Sequence, residues 1–500
     1  MCAVQALDPG DPHNTPLPRP YKGASQAERE EYIGRKVSKA KDGIRQELAR
    51  LEEQYAYIQK NKRLPDEIRD IVAGESLDAI GAMHCAVESL REQKRVTEAK
   101  TWEYGWAKET ALESIQSSLD RETEMLETAE RTAVEEWHID ADQYTRRISK
   151  SDLQAQCKTL PLAATDSKLK QFGPQDLSVQ RLLGACVVLD QPENASVILS
   201  VYNQRRGEAT LQLAPVILND VQSYSAVFAK HLEEFSEMEA SEKLKAMQDQ
   251  VPQSLDGERL SERAVAKLTG LEAESHDIAF AVHQRLVAAT GSLTLYDLVC
   301  GIVSGVEVTG PSPFVVPGGV KQLARMVFKT ASKYGCNFVL CKDVIRCTVV
   351  TITIVMVHDV VAAIFDSRDV LVIRMKHRLN KDYDAAPIGG YLDCQLQVLF
   401  KSPDGTWLHG EVQVNLESMV AIKQQPNGGH AIFKYARSLA AYDEKTFKYS
   451  GSITPEVADQ IRCGVLLDAE FTDGGCKGPE EMDMLCGALG SPQCRLVSVK

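Results

Sequence analysis

Apolar positions between residues 23 and 160 recur at helical spacing within a background of Glu, Lys, Arg, Ala, Gln and Leu, and Pro65 is the only proline of that stretch. Such text predicts a set of long helices. Ile44, Leu48, Leu51, Tyr55 and Ile58 step by 4, 3, 4 and 3, a two-heptad seam that asks for a packing partner. Leu112, Ile115, Leu119 and Leu126 repeat the idea in a second helix. The seam suits a bundle packed on itself or on the next domain; its alternative use is an arm for a partner or a homo-oligomer. From 161 to 308 the pattern is broken by Pro161, Pro174, Pro192 and Pro215. There Ala185–Leu189 and Ser196–Tyr202 fit strands or buried helix turns equally, while Glu258 to Val303 is proline-free and mostly helical in pattern.

Thr309 to Gly319 carries three prolines and three glycines, the clearest boundary in the chain. After it the pattern alternates. A helix is expected over Val320–Tyr334, with Lys321, Arg325 and Lys329 at i, i+4 and i+8 on one face. Lys342–Arg346 leads into an apolar strand over Cys347–Val357, followed by a helix and a strand over Val370–Met375 that ends in Arg374, Lys376, His377, Arg378 and Lys381. Tyr391–Phe400 and Trp407–Leu416 flank the turn-rich Ser402–Thr406 and predict a hairpin with 397 opposite 411, 395 opposite 413 and 393 opposite 415. One hairpin face is apolar. The other carries Tyr391, Asp393, Gln395 and Gln397 against His409, Glu411, Gln413 and Asn415, a face rich in groups that read a base or hold a metal. Asp343 stands at the entry of a buried strand, where a carboxylate is costly without a cation or donors to meet it.

The chain has 500 residues, enough for several domains, and a formal charge of −13, which argues against a general binder of long nucleic acids or anionic membranes. The charge is uneven. Residues 318–450 hold 17 Lys and Arg against 12 Asp and Glu, whereas the remainder holds 40 against 58. A cationic block inside an acidic chain points to a small polyanion such as a nucleotide. Thirteen scattered cysteines, without a CxxC pair, read as free thiols of a reducing compartment. The stretch 1–22 lacks the pattern of a signal or transit peptide and reads as a flexible leader, and Cys347–Val357 is shorter than the roughly 20 residues of a membrane span. No membrane is expected, and a cytoplasmic location is. His276, Asp277 and His283 are better explained as a solvated helix face than as a metal centre.

The segments KDVIRCTVV, NKDYDAAPIGGYLDCQLQV, GEVQVNL and GGHAIFKYAR, in that order over roughly Val320 to Arg437, resemble the RelA/SpoT alarmone synthetase domain. The resemblance implies an α+β chain: a long helical region followed, over 318–450, by a nucleotidyltransferase-like mixed sheet flanked by helices. It implies Mg²⁺-dependent transfer of pyrophosphate from ATP to the 3′-hydroxyl of GDP or GTP. Position by position, Asp343 and Glu411 match the two acidic residues, as metal ligands with Glu411 alternatively a base, and Arg346 matches the arginine after the first. Lys321, Arg325 and Lys329 match the basic helix that meets the ATP phosphates, and Lys381 the KDY lysine. Tyr391 matches the tyrosine that stacks on guanine, Gln413 the glutamine after the second acid, and His430 the histidine of a closing helix. The alternatives are a RelA/SpoT-like fold kept as a nucleotide-binding scaffold without turnover, and a toxin-like pyrophosphotransferase. In the tail 451–500, Met482–Leu496 resembles a single leucine-rich-repeat unit.

Overall fold

A computed structural model describes residues 25–99, 105–142, 149–159, 179–252, 254–255, 258–259, 261–271, 274–308, 310–383, 385 and 388–423, with 448–450, 468–470, 483 and 498–499. His430 and all of Met482–Leu496 except Asp483 lie outside these residues.

The first third is helical as its pattern requires: α1 (Gln26–Asn61), α2 (Asp66–Ala99) and α3 (Gly105–Glu135), followed by α4 (Lys150–Thr159) and α5 (Val179–Val188). Ser25 and Glu28 form a capping box at the start of α1, and Pro65 separates α1 from α2. The two ambiguous apolar runs are helical, the second inside α6 (Pro192–Leu232). Next come α7 (Phe235–Gln248), α8 (Glu262–Thr269) and α9 (Ile278–Ser304).

The helix α9 is apolar on every side, and a helix without a polar face belongs in a core. It is long and apolar enough to cross a membrane by composition alone. In this fold it packs on α1, on three strands of the sheet and on two of the helices beside it. Ile44, Leu51 and Ile58 of the α1 seam are buried in that core, so the seam is satisfied within the chain. The Asp277 side chain caps α9 by accepting from Ala279 N, and His283 stacks at a tilt on Tyr55, 5.0 Å between ring centres.

Past the Pro/Gly boundary lies a mixed five-stranded sheet. Its strands are β1 (Phe314–Pro317), β2 (Ile345–Thr351), β3 (Val370–His377), β4 (Cys394–Lys401) and β5 (Trp407–Leu416), in spatial order β1-β2-β5-β4-β3. Only the β2–β5 pair is parallel. The hairpin register puts Gln397 opposite Glu411 and Gln395 opposite Gln413, as the alternation demands, although β4 begins at Cys394 and the 393–415 pairing falls outside the ladder. Val412, Val414, Leu416, Cys394, Leu396 and Val398 are fully buried on the face that meets α9 and α11 (Ile354–Asp366).

Two sequence expectations change. The apolar run Cys347–Val357 is not one strand: it divides at Thr353, whose side chain accepts from Met356 N and caps α11, while the Glu237 carboxylate accepts from Ile354 N at 2.6 Å. The basic helix does not start at Val320 either. It is α10 (Leu323–Lys333), and Gln322 at its N-cap is extended, so Lys321 lies on the connection from β1. After β5 follows α12 (Glu417–Lys423). Three short strands near the C-terminus, Lys448–Ser450, Asp468–Glu470 and Ser498–Val499, form a separate parallel sheet. The chain is thus a mixed α+β protein, mostly helical, with one mixed five-stranded sheet.

Candidate functional site

The second face of the sheet is polar, and strand register assembles it. Because side chains alternate along each strand, Arg374, Gln397, Glu411 and Arg346 line up across β3, β4, β5 and β2, and Lys376, Gln395, Gln413 and Thr348 form the next row. Arg374 and Lys376 are exposed while Glu411 is only 9 % exposed, so the face is open at β3 and closes toward β5.

One end is built around Asp343, two residues before β2. Lys329 of α10 donates to Asp343 Oδ1 at 2.9 Å, and Lys321 donates to Oδ2. The Cys341 thiol stands 3.5 Å from Oδ1. Burial pushes the Asp343 carboxyl up, but the two ammonium groups outweigh it and hold the group well below the usual carboxylate range. Burial also lowers the proton affinity of Lys321, opposed by Asp343, whereas at Lys329 the carboxylate prevails over burial and the ammonium is held more firmly. The loop that carries Lys321 runs tight against β2: Gly318 N donates to Arg346 O at 2.9 Å, and a Cβ on Gly318 would lie 2.5 Å from that oxygen. Only glycine fits there.

Glu411 sits three residues further along the face, beside Arg346. Burial raises its proton affinity, opposed by the Gln413 amide that donates to Oε1 at 2.6 Å and reinforced by the negative charge of Asp343. His409, on the same strand, donates through Nδ1 to the Lys342 carbonyl, 2.9 Å away, and burial pushes its proton affinity down to about 4, so it stands neutral.

The far end is built around Asp393, which is fully buried. Arg378 donates to Asp393 Oδ1 at 3.0 Å and to Gln395 Oε1 at 3.2 Å, and Gln395 Nε2 donates to Asp393 Oδ2 at 3.1 Å. Burial nonetheless wins and raises the Asp393 carboxyl. Beside it Tyr391 is 6 % exposed and donates to Asn415 Oδ1 at 2.6 Å. Its ring meets the edge of Tyr224 from α6 at 5.7 Å, and Lys423 Nζ of α12 lies 4.2 Å from its centre. The turn before it needs glycine: Gly390 has φ +82°, and a Cβ there would lie 2.6 Å from Val221 of α6.

The sequence-derived candidates therefore separate into groups. Lys321, Lys329, Asp343, Arg346, Glu411 and Gln413 come together on one stretch of the polar face. Arg325, on the first turn of α10, is exposed, and Lys321 lies before the helix, so the expected row of three cations divides. Lys381 is exposed in the turn after β3. Tyr391 is at the face but covered by protein, and no base reaches its ring until Tyr224 or Lys423 moves. Arg374, Lys376 and Arg378 were not among the candidates. Their signal was present in the sequence as cations at i, i+2 and i+4 on a strand, which alternation puts on one side.

Among the described residues no group of three or more His, Cys, Asp or Glu is arranged to hold a metal. Magnesium asks for less, because it keeps several waters and binds through one or two carboxylates and substrate phosphates. Asp343 and Glu411 suit it in donor chemistry, provided that Lys321 and Lys329 yield the Asp343 oxygens to an incoming polyphosphate. Cys85, Cys186, Cys300, Cys336, Cys341, Cys347 and Cys394 are free thiols.

No protein-family model and no curated protein matches the chain. Among solved structures, the chain is similar to the small alarmone synthetase 1 from Bacillus subtilis bound to its product pppGpp, with 15 % identity, a TM-score of 0.23, and 30 % of this chain and 84 % of that one covered.

Proposed function

We propose that the polar face binds two nucleotides and moves pyrophosphate from ATP to the 3′-hydroxyl of GDP or GTP. The observation that supports this most is the pair Asp343 and Glu411, two carboxylates on one sheet face whose proton affinities are driven apart, one down by two lysines and one up by burial. Carboxylates separated in this way take different roles. Glu411 is the base: it accepts the proton of the attacking hydroxyl as the new oxygen–phosphorus bond forms and the α–β anhydride breaks, with AMP leaving. Asp343 stays ionised throughout. Asp343 and Glu411 would hold magnesium, which when bound neutralises charge on the phosphate oxygens.

Transfer of this kind demands positioning and positive charge more than covalent help. Lys321, Lys329 and Arg346 supply the charge beside Glu411. Gln395, Gln397 and Gln413 offer amides along the same face for ribose and base. Guanine stacking on Tyr391 is part of this reading and requires α6 or α12 to give way. These last contacts favour a second reading, a nucleotide-binding scaffold without turnover, since Tyr391 is covered and both Asp343 oxygens are engaged by lysine.

Incubation with γ-labelled ATP, GDP and Mg²⁺ decides between them. A labelled guanosine product that disappears in Glu411→Gln supports transfer. No labelled product, with melting still raised by nucleotide, selects the scaffold. Neither product nor stabilisation sinks both.

A further inference from the structure

The residue that aims Lys321 comes from outside the sheet. Arg285 of α9 is among the most deeply buried large side chains of the protein, its side chain only 2 % exposed. Its Nε donates to the Lys321 carbonyl at 3.0 Å, and its Nη2 donates to Glu47 Oε1 of α1. Glu47 is held in turn by Arg50, 2.9 Å away. The Lys321 segment has few other ties: the side chain of Gln322 makes no cap on α10, and upstream the backbone is fixed by the Gly318–Arg346 bond. A buried guanidinium is expensive unless each of its bonds is used. Here one bond goes to the helical region and one to the loop of a site lysine.

We propose that Arg285 is a positioning residue that sets the backbone of Lys321 so that its ammonium meets Asp343, and that Glu47 holds Arg285 in place, which makes α1 part of the site. The arrangement is a relay of four residues on four segments, with the Lys321 main chain as one link: Glu47 on α1, Arg285 on α9, Lys321 before α10 and Asp343 before β2. Lys329 is the built-in control. It meets the same carboxylate from within α10 and has no bond to Arg285. Lysine at 285 cannot replace the fork, since one ammonium does not reproduce the spacing of Nε and Nη2.

The effect on activity rests on the pyrophosphate-transfer reading, so the deciding measurement does not use turnover. The full chain is treated briefly with acetic anhydride at one pH, and acetylation of Lys321 and Lys329 is quantified by peptide mass spectrometry. In Arg285→Met, Lys321 is expected to react roughly threefold faster or more, while Lys329 stays near its wild-type rate. Arg285→Lys should fall between. A purely structural role would loosen both lysines together; equal changes at the two, or no change at Lys321, overturn the proposal. If Arg285→Met is not recovered folded, Glu47→Gln decides on the same criterion, with a smaller selective rise expected. Where transfer is active, Arg285→Met should raise KM for ATP by roughly tenfold and leave KM for GDP unchanged. A wild-type chain without transfer activity would defeat the functional reading and leave the labelling result standing.

Discussion

Asp343, half-buried, and Asp393, fully buried, are carboxylates at opposite ends of one sheet face, and desolvation meets a different answer at each. Two ammonium groups from two segments converge on Asp343, and its carboxyl is held low. Asp393 lies deeper, has one guanidinium and one amide, and its carboxyl is raised. A second cation and shallower burial together reverse the direction of the shift. The Asp343 end is a charged anchor, and the Asp393 end is a closed polar core against which Tyr391 packs.

Substitution at Asp343 should have the largest effect. Asp343→Asn leaves Lys321 and Lys329 facing each other without a counter-charge, at a cost on the order of 2–3 kcal/mol in denaturant unfolding at neutral pH, and it should abolish transfer. Because its folded value is depressed, the stability Asp343 contributes is present above its ordinary value of 3.8 and is lost as pH falls through the lower folded one. A wild-type unfolding series at falling pH, set against Asp343→Asn, measures this: the two curves should converge in acid. Parallel curves would contradict the ion-pair account.

Glu411→Gln should remove roughly 10²–10⁴-fold of the transfer rate with the fold intact, the range of a lost general base. Since burial raises Glu411 above 4.5, the wild-type rate should climb as pH passes through that raised value, and the variant should lose this limb. Unfolding stability of the variant at neutral pH should equal or exceed wild type, because ionising a carboxyl with a raised folded value costs stability as pH rises.

Asp393→Asn sharpens the contrast. The amide oxygen can still accept from Arg378, and the cost of burying an ionised group disappears, so a change within about 1 kcal/mol is expected where Asp343→Asn costs more. A larger loss at 393 than at 343 would invert the comparison. The smallest effect belongs to Tyr224, whose hydroxyl is buried without a hydrogen-bond partner among the described residues. Tyr224→Phe should stabilise by about 1 kcal/mol while keeping the ring against Tyr391, as read by thermal melting.

The hairpin shows what the sequence made legible. Strict alternation on both sides of a turn fixed which residues pair, and with them the row that joins Glu411 to Gln397. Asp343 was legible as a carboxylate needing a counter-charge at a strand entry, and the lysines that meet it were named. What escaped was set by contacts between distant segments. Cys347–Val357 is uniformly apolar, and hydrophobicity alone did not mark the change from strand to helix at Thr353, which the Glu237 carboxylate on α7 helps to fix. Spacing put Lys321 on a helix, whereas its position depends on Arg285, 36 residues upstream. The covering of Tyr391 by Tyr224 is equally non-local, since nothing near position 391 announces α6.

The largely apolar girth of α9 bears on how the protein can be handled. A clone starting near residue 262, chosen to keep the sheet and the helices just before it, would strip α1 from that helix and leave an oily rod exposed. Such a fragment should pellet with lipid or demand detergent and mimic an integral membrane protein, when what it lacks is its own N-terminal half.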